Sequence, residues 1–285
     1  MTATSTATTI SAGTAPARAT GDLVDPGFGA TFAAEWRKLR TARSPRRNLV
    51  LGVVLGIAAS VLLAVVAGAT FDDWPAAERA AFDPILYPLA GSVLTAIFFA
   101  AVGVNVVASE YSSGMIRTTL TATPRRGRVL AAKVLAVFVA TGVGSLVSIV
   151  AMIGLGQVIF AANDLPTVGL GDADLWRTLL ALVVVGPLFP VIAVTVTFLF
   201  RRTAASICTV LALIFAPGIF GALLPEWWQR NVISLMPGPA SDSLAIGHLT
   251  DDATYLHPAA AALVAVGWMI ALSTLAYMAL SRRDA

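Results

Sequence analysis

The chain has 285 residues, of which 57% are apolar and 12% are charged, with a formal net charge of +3. Because a soluble domain carries about 25% charged residues, this composition excludes an ordinary globular protein in water. Together with a mean hydropathy of +0.82, it indicates an integral membrane protein, since a chain of this length must otherwise cover most of its surface with polar groups.

Residues 1–27 are rich in Thr, Ala, Ser and Gly and contain no apolar core segment. They are therefore not a cleavable signal peptide, and we expect a disordered tail. A membrane-embedded domain is expected to occupy residues 28–285.

Residues 28–47 begin with apolar side chains at helical spacing and continue with basic residues. The apolar positions are Phe28, Phe32, Trp36 and Leu39. The pattern predicts a helix at the membrane interface, with its apolar stripe in the headgroup region and its basic face toward anionic lipid. A generic basic flank that only sets the orientation in the membrane is the alternative.

Six uncharged apolar runs are long enough to cross a bilayer as helices, and their continuous apolar character excludes the alternation of a β-barrel. These predicted spans are 49–69, 85–108, 134–160, 179–200, 203–224 and 259–280. The sequence therefore predicts an all-α membrane protein.

Basic residues retained on the cytoplasmic side determine the orientation of such a protein. With the N-terminus inside, 16 of the 19 basic residues lie in inner segments, and the outer loops hold 11 of the 16 acidic residues. The charge distribution predicts that both termini are cytoplasmic.

The inner segment 109–130 is too long for a simple turn. Ser112 or Ser113 can cap a short helix that ends at Thr121, and Thr123 with Pro124 would start the next helix. The short helix would present one apolar face, formed by Met115, Ile116, Thr119 and Leu120. Such a face predicts contact with another protein, or simple packing on the helices of the same chain.

Several short motifs and single residues follow one another along the chain in an order that can be compared with known families. They are Glu35-Trp36-Arg37-Lys38-Leu39-Arg40, Glu110, Gly114, Arg117, Thr119, Leu120, Pro124, Arg125, Arg128, Arg201-Arg202-Thr203, the Pro-Gly pair of the fifth span, Trp227-Trp228 and Arg282-Arg283-Asp284-Ala285. Over about residues 30–285, this order resembles the type-2 ABC transporter permease family, in particular its small bacterial members. The resemblance implies no role for the leader of about 27 residues.

The resemblance implies that the first inner loop is a coupling helix docked on a separate ATPase. The residues given this role are Glu110, Gly114, Met115, Ile116, Arg117 and Leu120. It also implies a re-entrant helical hairpin in the outer loop 225–258, where an outer gate would include Trp227, Trp228, Leu235 and Met236. A surface cap without a transport role is the alternative for this loop.

The chain lacks the glycine-rich loop that wraps ATP phosphates, because neither Lys38 nor Lys133 follows a glycine. No cofactor is expected in this chain, and ATP and Mg would be bound by the partner ATPase. The six predicted spans contain no Asp, Glu, His or Lys, which disfavours an ion-driven carrier. A metal site built from the loop residues His248, His257, Asp251 and Asp252 is a weaker interpretation than solvated side chains.

Small residues within the spans predict close helix packing, within one subunit or across a dimer. The pairs are Gly52 with Gly56 and Gly144 with Ser148. Pro187, Pro190 and Pro217 are expected to kink their helices. Cys208 is expected to be a buried apolar side chain.

The sequence thus predicts a permease subunit of an ABC exporter in a bacterial cytoplasmic membrane, not an enzyme. Its partners would be a cytoplasmic ABC ATPase, a second permease copy or a sibling permease, and the lipid bilayer, but no nucleic acid. The cargo would be amphipathic: a drug, an antimicrobial peptide or a lipid-linked molecule. The alternatives are an energy-independent facilitator or scaffold, and then an intramembrane hydrolase.

Overall fold

A computed structural model of the chain describes residues 27–123, 125–245 and 252–282. All regular structure in these ranges is helical, and six helical segments are long and apolar enough to cross a membrane, which confirms the predicted class. The segments are Arg43–Asp73, Tyr87–Ser112, Arg126–Ala162, Ala173–Phe200, Thr203–Gly221 and Pro258–Arg282. The predicted tail, apart from Gly27, lies outside the described residues.

The N-terminal helix α1 (Phe28–Thr41) is shorter than the predicted interfacial helix 28–47. Ala42 is extended, and the first spanning helix, α2 (Arg43–Thr70), begins directly after it. The basic residues after Ala42 therefore belong to α2, because one extended residue is enough to redirect the chain.

Much of the apolar side of α1 packs on the bundle. Leu39 is buried in the main apolar core, and Phe32 and Trp36 pack against that core with their rings stacked 6.2 Å apart. Phe28 alone of the four predicted stripe residues is largely exposed. The position of α1 at the membrane interface stays a prediction.

After the short helix α3 (Ala76–Ala80), helix α4 (Ser92–Ser112) leads into α5 (Met115–Ala122), and α6 (Arg126–Ala162) follows. The predicted serine cap of α5 is wrong, since Gly114 is the N-cap of α5, and its φ of 72° permits a sharp turn that a side chain would resist. The predicted start of the next helix at Thr123 is also wrong: Thr123 is extended and α6 begins at Arg126.

The fourth span consists of two helices, α7 (Ala173–Val185) and α8 (Leu188–Phe200). The chain breaks at Gly186 and Pro187, as expected where proline removes a helical hydrogen bond. Helix α9 (Thr203–Gly221) instead continues through Pro217. Cys208 on α9 is exposed on the outside of the bundle, so its predicted burial is wrong.

A helical hairpin precedes the last span. Helix α10 (Glu226–Trp228) continues as a π-helical turn over Gln229–Ile233, and α11 (Pro237–Ala245) follows. Helix α11 contacts α7, α9 and the last spanning helix, α12 (Pro258–Arg282). We call this end of the bundle the hairpin end, and the opposite end, where α1 and α5 lie, the α5 end.

Small residues bring the spanning helices close together within one chain. A Cβ added to Gly52 would lie 2.9 Å from the Phe99 ring, and one added to Gly144 would lie 2.6 Å from the same ring. Phe99 of α4 therefore fits between α2 and α6. This arrangement supports packing within one subunit as the role of these glycines.

We expect Gly103→Ala to destabilise the bundle by about 1–3 kcal/mol, because α4 and α8 would have to separate. A Cβ at Gly103 would lie 2.2 Å from the backbone oxygen of Pro190. The control is Gly154→Ala on α6, where no atom lies within 4 Å and where alanine favours the helix by up to about 1 kcal/mol. Equal melting temperatures of the two variants in detergent would contradict this packing.

Candidate functional site

Four ionisable side chains meet at the α5 end and form a network that we call the ionic network. Lys133 Nζ of α6 donates to Glu35 Oε2 of α1 at 2.6 Å and to Glu110 Oε1 of α4 at 2.7 Å. Lys38 Nζ of α1 donates to Glu35 Oε1 at 2.7 Å and to Glu110 Oε1 at 2.9 Å. Two cations thus bridge two carboxylates across three helices.

The ionic network is buried. Lys133 is fully buried, Glu110 is 2% exposed and Glu35 is 4% exposed, whereas Lys38 reaches the edge. A buried charge is strongly unfavourable unless it is paired, and here two positive and two negative groups balance. Among the described residues, the buried Glu110 Oε2 accepts no hydrogen bond, so the charges are balanced but one acceptor is left without a donor.

Lys38 extends the ionic network to α5, because its Nζ also lies 3.3 Å from Thr119 Oγ1. Burial lowers the pKa of Lys38, but its hydrogen bonds and charge interactions with Glu35 and Glu110 outweigh this effect and raise the pKa above its usual value. Lys38 is therefore a permanent cation near neutral pH. The result is a fixed polar link between α1, α4, α5 and α6.

The predicted spans 85–108 and 134–160 contain no acidic residue and no lysine, but one residue of each kind lies just beyond them. Glu110 lies inside α4 and Lys133 inside α6, because both helices continue beyond their purely apolar runs. A usable signal was present: the chain has 17 arginines but only two lysines, and both lysines belong to the ionic network. The spacing of Glu35 and Lys38, three residues apart on one helix, was a second signal.

Helix α5 is held on the bundle by its apolar side. Ile116 is 3% exposed and Leu120 is 9% exposed, and both belong to the same apolar core as Leu39. The prediction that these two side chains form an exposed docking face with Met115 is therefore wrong. Met115 is 41% exposed and remains available for contact with a partner.

The outer face of α5 is mainly polar. Its exposed residues after Gly114 are Met115, Arg117, Thr118, Thr121 and Ala122. Met115 and Thr118 are three residues apart and therefore share one side of the helix. Of the predicted coupling residues, the structure thus places Met115, Gly114 and Arg117 on the surface and Glu110 in the ionic network.

Two further contacts tie the α5 end to the remaining spans. The Arg201 guanidinium, at the turn between α8 and α9, lies 5.4 Å from the centre of the Tyr111 ring of α4. Arg126 at the start of α6 donates to the backbone oxygen of Leu280 on α12. A displacement of α5 would therefore act on a connected set of helix ends.

The predicted gate residues lie in the hairpin. Trp227 and Trp228 are exposed and contact each other edge to face, with ring centres 5.5 Å apart. The backbone oxygen of Leu235 accepts a hydrogen bond of 2.8 Å from Trp268 Nε1 on α12, and Met236 is partly buried. A hairpin is present where the resemblance placed one, and the role of a gate stays a prediction.

Of the loop residues considered for a metal site, His248 and Asp251 lie outside the described residues. Within the described ranges, no group of three or more His, Cys, Asp or Glu side chains could hold a metal ion.

Comparison of the sequence with known proteins gives a match that extends from α1 to α9. No curated protein matches the sequence. A family model described as ABC-2 family transporter protein matches residues 31–217, which include the ionic network and α5. This match covers well over half of the chain, and the six apolar helices agree with it. The chain therefore belongs to the ABC-2 transporter family and is a multi-pass membrane protein.

Proposed function

We propose that this chain is the membrane-spanning permease subunit of an ATP-driven exporter whose ATPase is a separate polypeptide. The observation that carries the proposal is the attachment of the exposed helix α5 to α1, α4 and α6 through the ionic network. A force applied to α5 from outside the membrane would be transmitted to both spanning helices through these contacts.

The ATPase would contact the exposed side of α5 around Met115 and Thr118. Ile116 and Leu120 would act from beneath, by fixing α5 on the apolar core. This division of roles suits a coupling element, because one side must bind a moving partner while the other side must not slip. ATP and Mg would be bound by the ATPase, which supplies the phosphate-binding loop that this sequence lacks.

A complete transporter would contain two permease subunits, either two copies of this chain or this chain and a sibling. The excess of basic residues at the α5 end supports a cytoplasmic position for α5 in a bacterial cytoplasmic membrane. Export of an amphipathic drug, antimicrobial peptide or lipid-linked molecule is the expected activity.

We expect Met115→Asp to weaken association with the ATPase at least tenfold, or about 1.4 kcal/mol, because an apolar contact is replaced by a charge that loses its hydration. The measurement is the amount of ATPase that co-purifies with tagged permease, together with ATP hydrolysis by the purified complex. The permease should remain folded, because Met115 is exposed.

The matched control is Leu170→Asp, which places the same charge on an exposed leucine in the segment between α6 and α7 at the hairpin end. This variant should retain the ATPase. Undiminished ATPase recovery with Met115→Asp would contradict docking on α5, and ATP hydrolysis by the isolated permease would contradict a separate energy source.

A further inference from the structure

A cavity of about 300 Å³ lies inside the bundle beneath α11. Its wall is formed by α4, α6, α9 and α11 and by the break between α7 and α8. Aromatic side chains in the wall include Phe99, Phe189 and Phe215, and hydroxyl-bearing side chains include Thr95, Ser148 and Ser241. We call it the inner cavity; its volume lies at the lower end of the range typical of small-molecule sites.

A second cavity of about 270 Å³ adjoins the inner cavity at the hairpin end. Ile214, Gly238 and Asp242 line both cavities and therefore form the partition between them. The second cavity is also lined by residues of the π-helical turn and by Asp252, Thr254 and Tyr255. A path from the hairpin end to the inner cavity would thus pass the carboxylate of Asp242.

The inner cavity presents acceptors of hydrogen bonds and no cation from the residues that line it. Asp242 is its one carboxylate among the described residues, and within the described ranges Asp242 makes no ion pair or hydrogen bond. The hydroxyls of Thr95, Ser148 and Ser241 donate to backbone oxygens of Gly52, Gly144 and Pro237.

The surroundings of Asp242 are unfavourable to its own charge. Asp242 keeps an exposed surface at the mouth of the cavities, but the protein packed around its carboxylate partly desolvates it, and this desolvation, with the nearby charge of Asp252, raises the pKa of Asp242 to about 6. A bound positive charge beside Asp242 would offset both the desolvation of its carboxylate and the repulsion from Asp252. The elements around α11 otherwise carry these ionisable groups: Asp174 and Arg177 on α7, Cys208 on α9, Tyr277 and Arg282 on α12, and Tyr255 and His257 before α12.

We infer that the inner cavity binds an amphipathic ligand with a single positive charge, its cationic group against Asp242 and its apolar part against Phe189 and Phe215. A single carboxylate among apolar and hydroxyl-bearing side chains selects such a ligand, because burial of the cation is compensated only when it is paired. Aromatic faces favour the same charge. As a substrate class this inference rests on the proposed function, but as a binding site it does not.

The test uses the full-length permease alone, in nanodiscs of zwitterionic lipid, with benzyltrimethylammonium as the probe and calorimetric titration as the measurement. We expect saturable binding at pH 8 that falls at least tenfold in Asp242→Asn. The control, Glu78→Gln, also removes one carboxylate, but Glu78 lies on α3 and lines neither cavity, so this variant should keep its affinity within about twofold. Equal binding by wild type and Asp242→Asn would overturn the inference, and so would the absence of binding by wild type.

A second variant tests the cavity separately from the charge. Ala96 lines the inner cavity, and Ala96→Phe should fill part of it and reduce binding while Asp242 remains. Unchanged affinity in this variant would place the probe elsewhere and overturn the inference. The melting temperature of each variant shows whether it has folded; if Asp242→Asn has not, Ala96→Phe decides the outcome.

Acidification gives an independent readout. A carboxyl group with a pKa of about 6 is ionised at pH 8, whereas at pH 5 about one-tenth of it is ionised, so affinity for the cation should fall about tenfold. Pairing with the cation would lower the pKa of Asp242 from this raised value. Affinity that is constant from pH 8 to pH 5 would contradict the assignment to Asp242. Because no ATPase is present, failure of this site and failure of the proposed ATPase coupling are distinguishable.

Discussion

Replacing Lys133 by alanine is expected to destabilise the permease by about 3–5 kcal/mol, because Glu35 and Glu110 would keep buried negative charges with only Lys38 to compensate them. Lys133 is fully buried and touches both carboxylates. The free energy of unfolding in mild detergent, measured by denaturant titration, is the quantity to compare with wild type.

The matched control is Arg230→Ala, which breaks the exposed pair with Glu226 and should cost less than about 1 kcal/mol. The double variant Lys133→Met with Glu110→Gln removes one charge of each sign and leaves Lys38 paired with Glu35. It should be clearly more stable than Lys133→Ala, because no net charge stays buried. If Lys133→Ala were as stable as Arg230→Ala, the ionic network would not be a buried, coupled unit.

The variant Leu120→Asp is expected to destabilise the permease itself by several kcal/mol, because the side chain is 9% exposed within the apolar core and an unpaired charge would be buried there. Sequence alone predicts a different result, namely loss of the ATPase from an intact permease. Thermal unfolding of the permease without its partner separates the two outcomes.

The comparison for Leu120→Asp is Met115→Asp, which adds the same charge to the exposed side of the same helix. Its effect on stability should stay within about 0.5 kcal/mol, as for most surface substitutions. If instead both variants had wild-type stability, α5 would not be fixed on the bundle, and its transmission of force to α4 and α6 would lose its structural support.

The six spans could be predicted because a spanning helix needs an apolar run long enough to cross the bilayer. The length of such a run can be read directly from consecutive residues. The break before Pro187 follows from the same kind of local rule, since proline cannot complete the helical hydrogen bonds. The prediction of helix ends was less accurate, since α6 starts at Arg126, eight residues before the predicted span. The polar side chains in the first turns of α6 form contacts with other helices.

The ionic network could not be predicted, because its members are separated by up to 98 residues in sequence. Glu110 and Lys133 occur at the ends of apolar runs, where charged residues usually meet water or lipid headgroups. Only the packing of α1 across α4 and α6 buries them. In the same packing, Ile116 and Leu120 point into the apolar core. The amphipathic pattern of the sequence identified the apolar side of α5, but it did not show whether a partner or the bundle itself covers that side.

The sequence by itself determined the class of this protein, the number of its spans and the absence of a phosphate-binding loop, because each depends on residue types within one segment. It also carried the order of features that resembles the ABC-2 family. The tertiary structure alone decided which charges pair, which side of α5 remains exposed and that Asp242 lies between two cavities. These properties depend on the distances between helices, and distance across a bundle is set by packing and not by position along the chain.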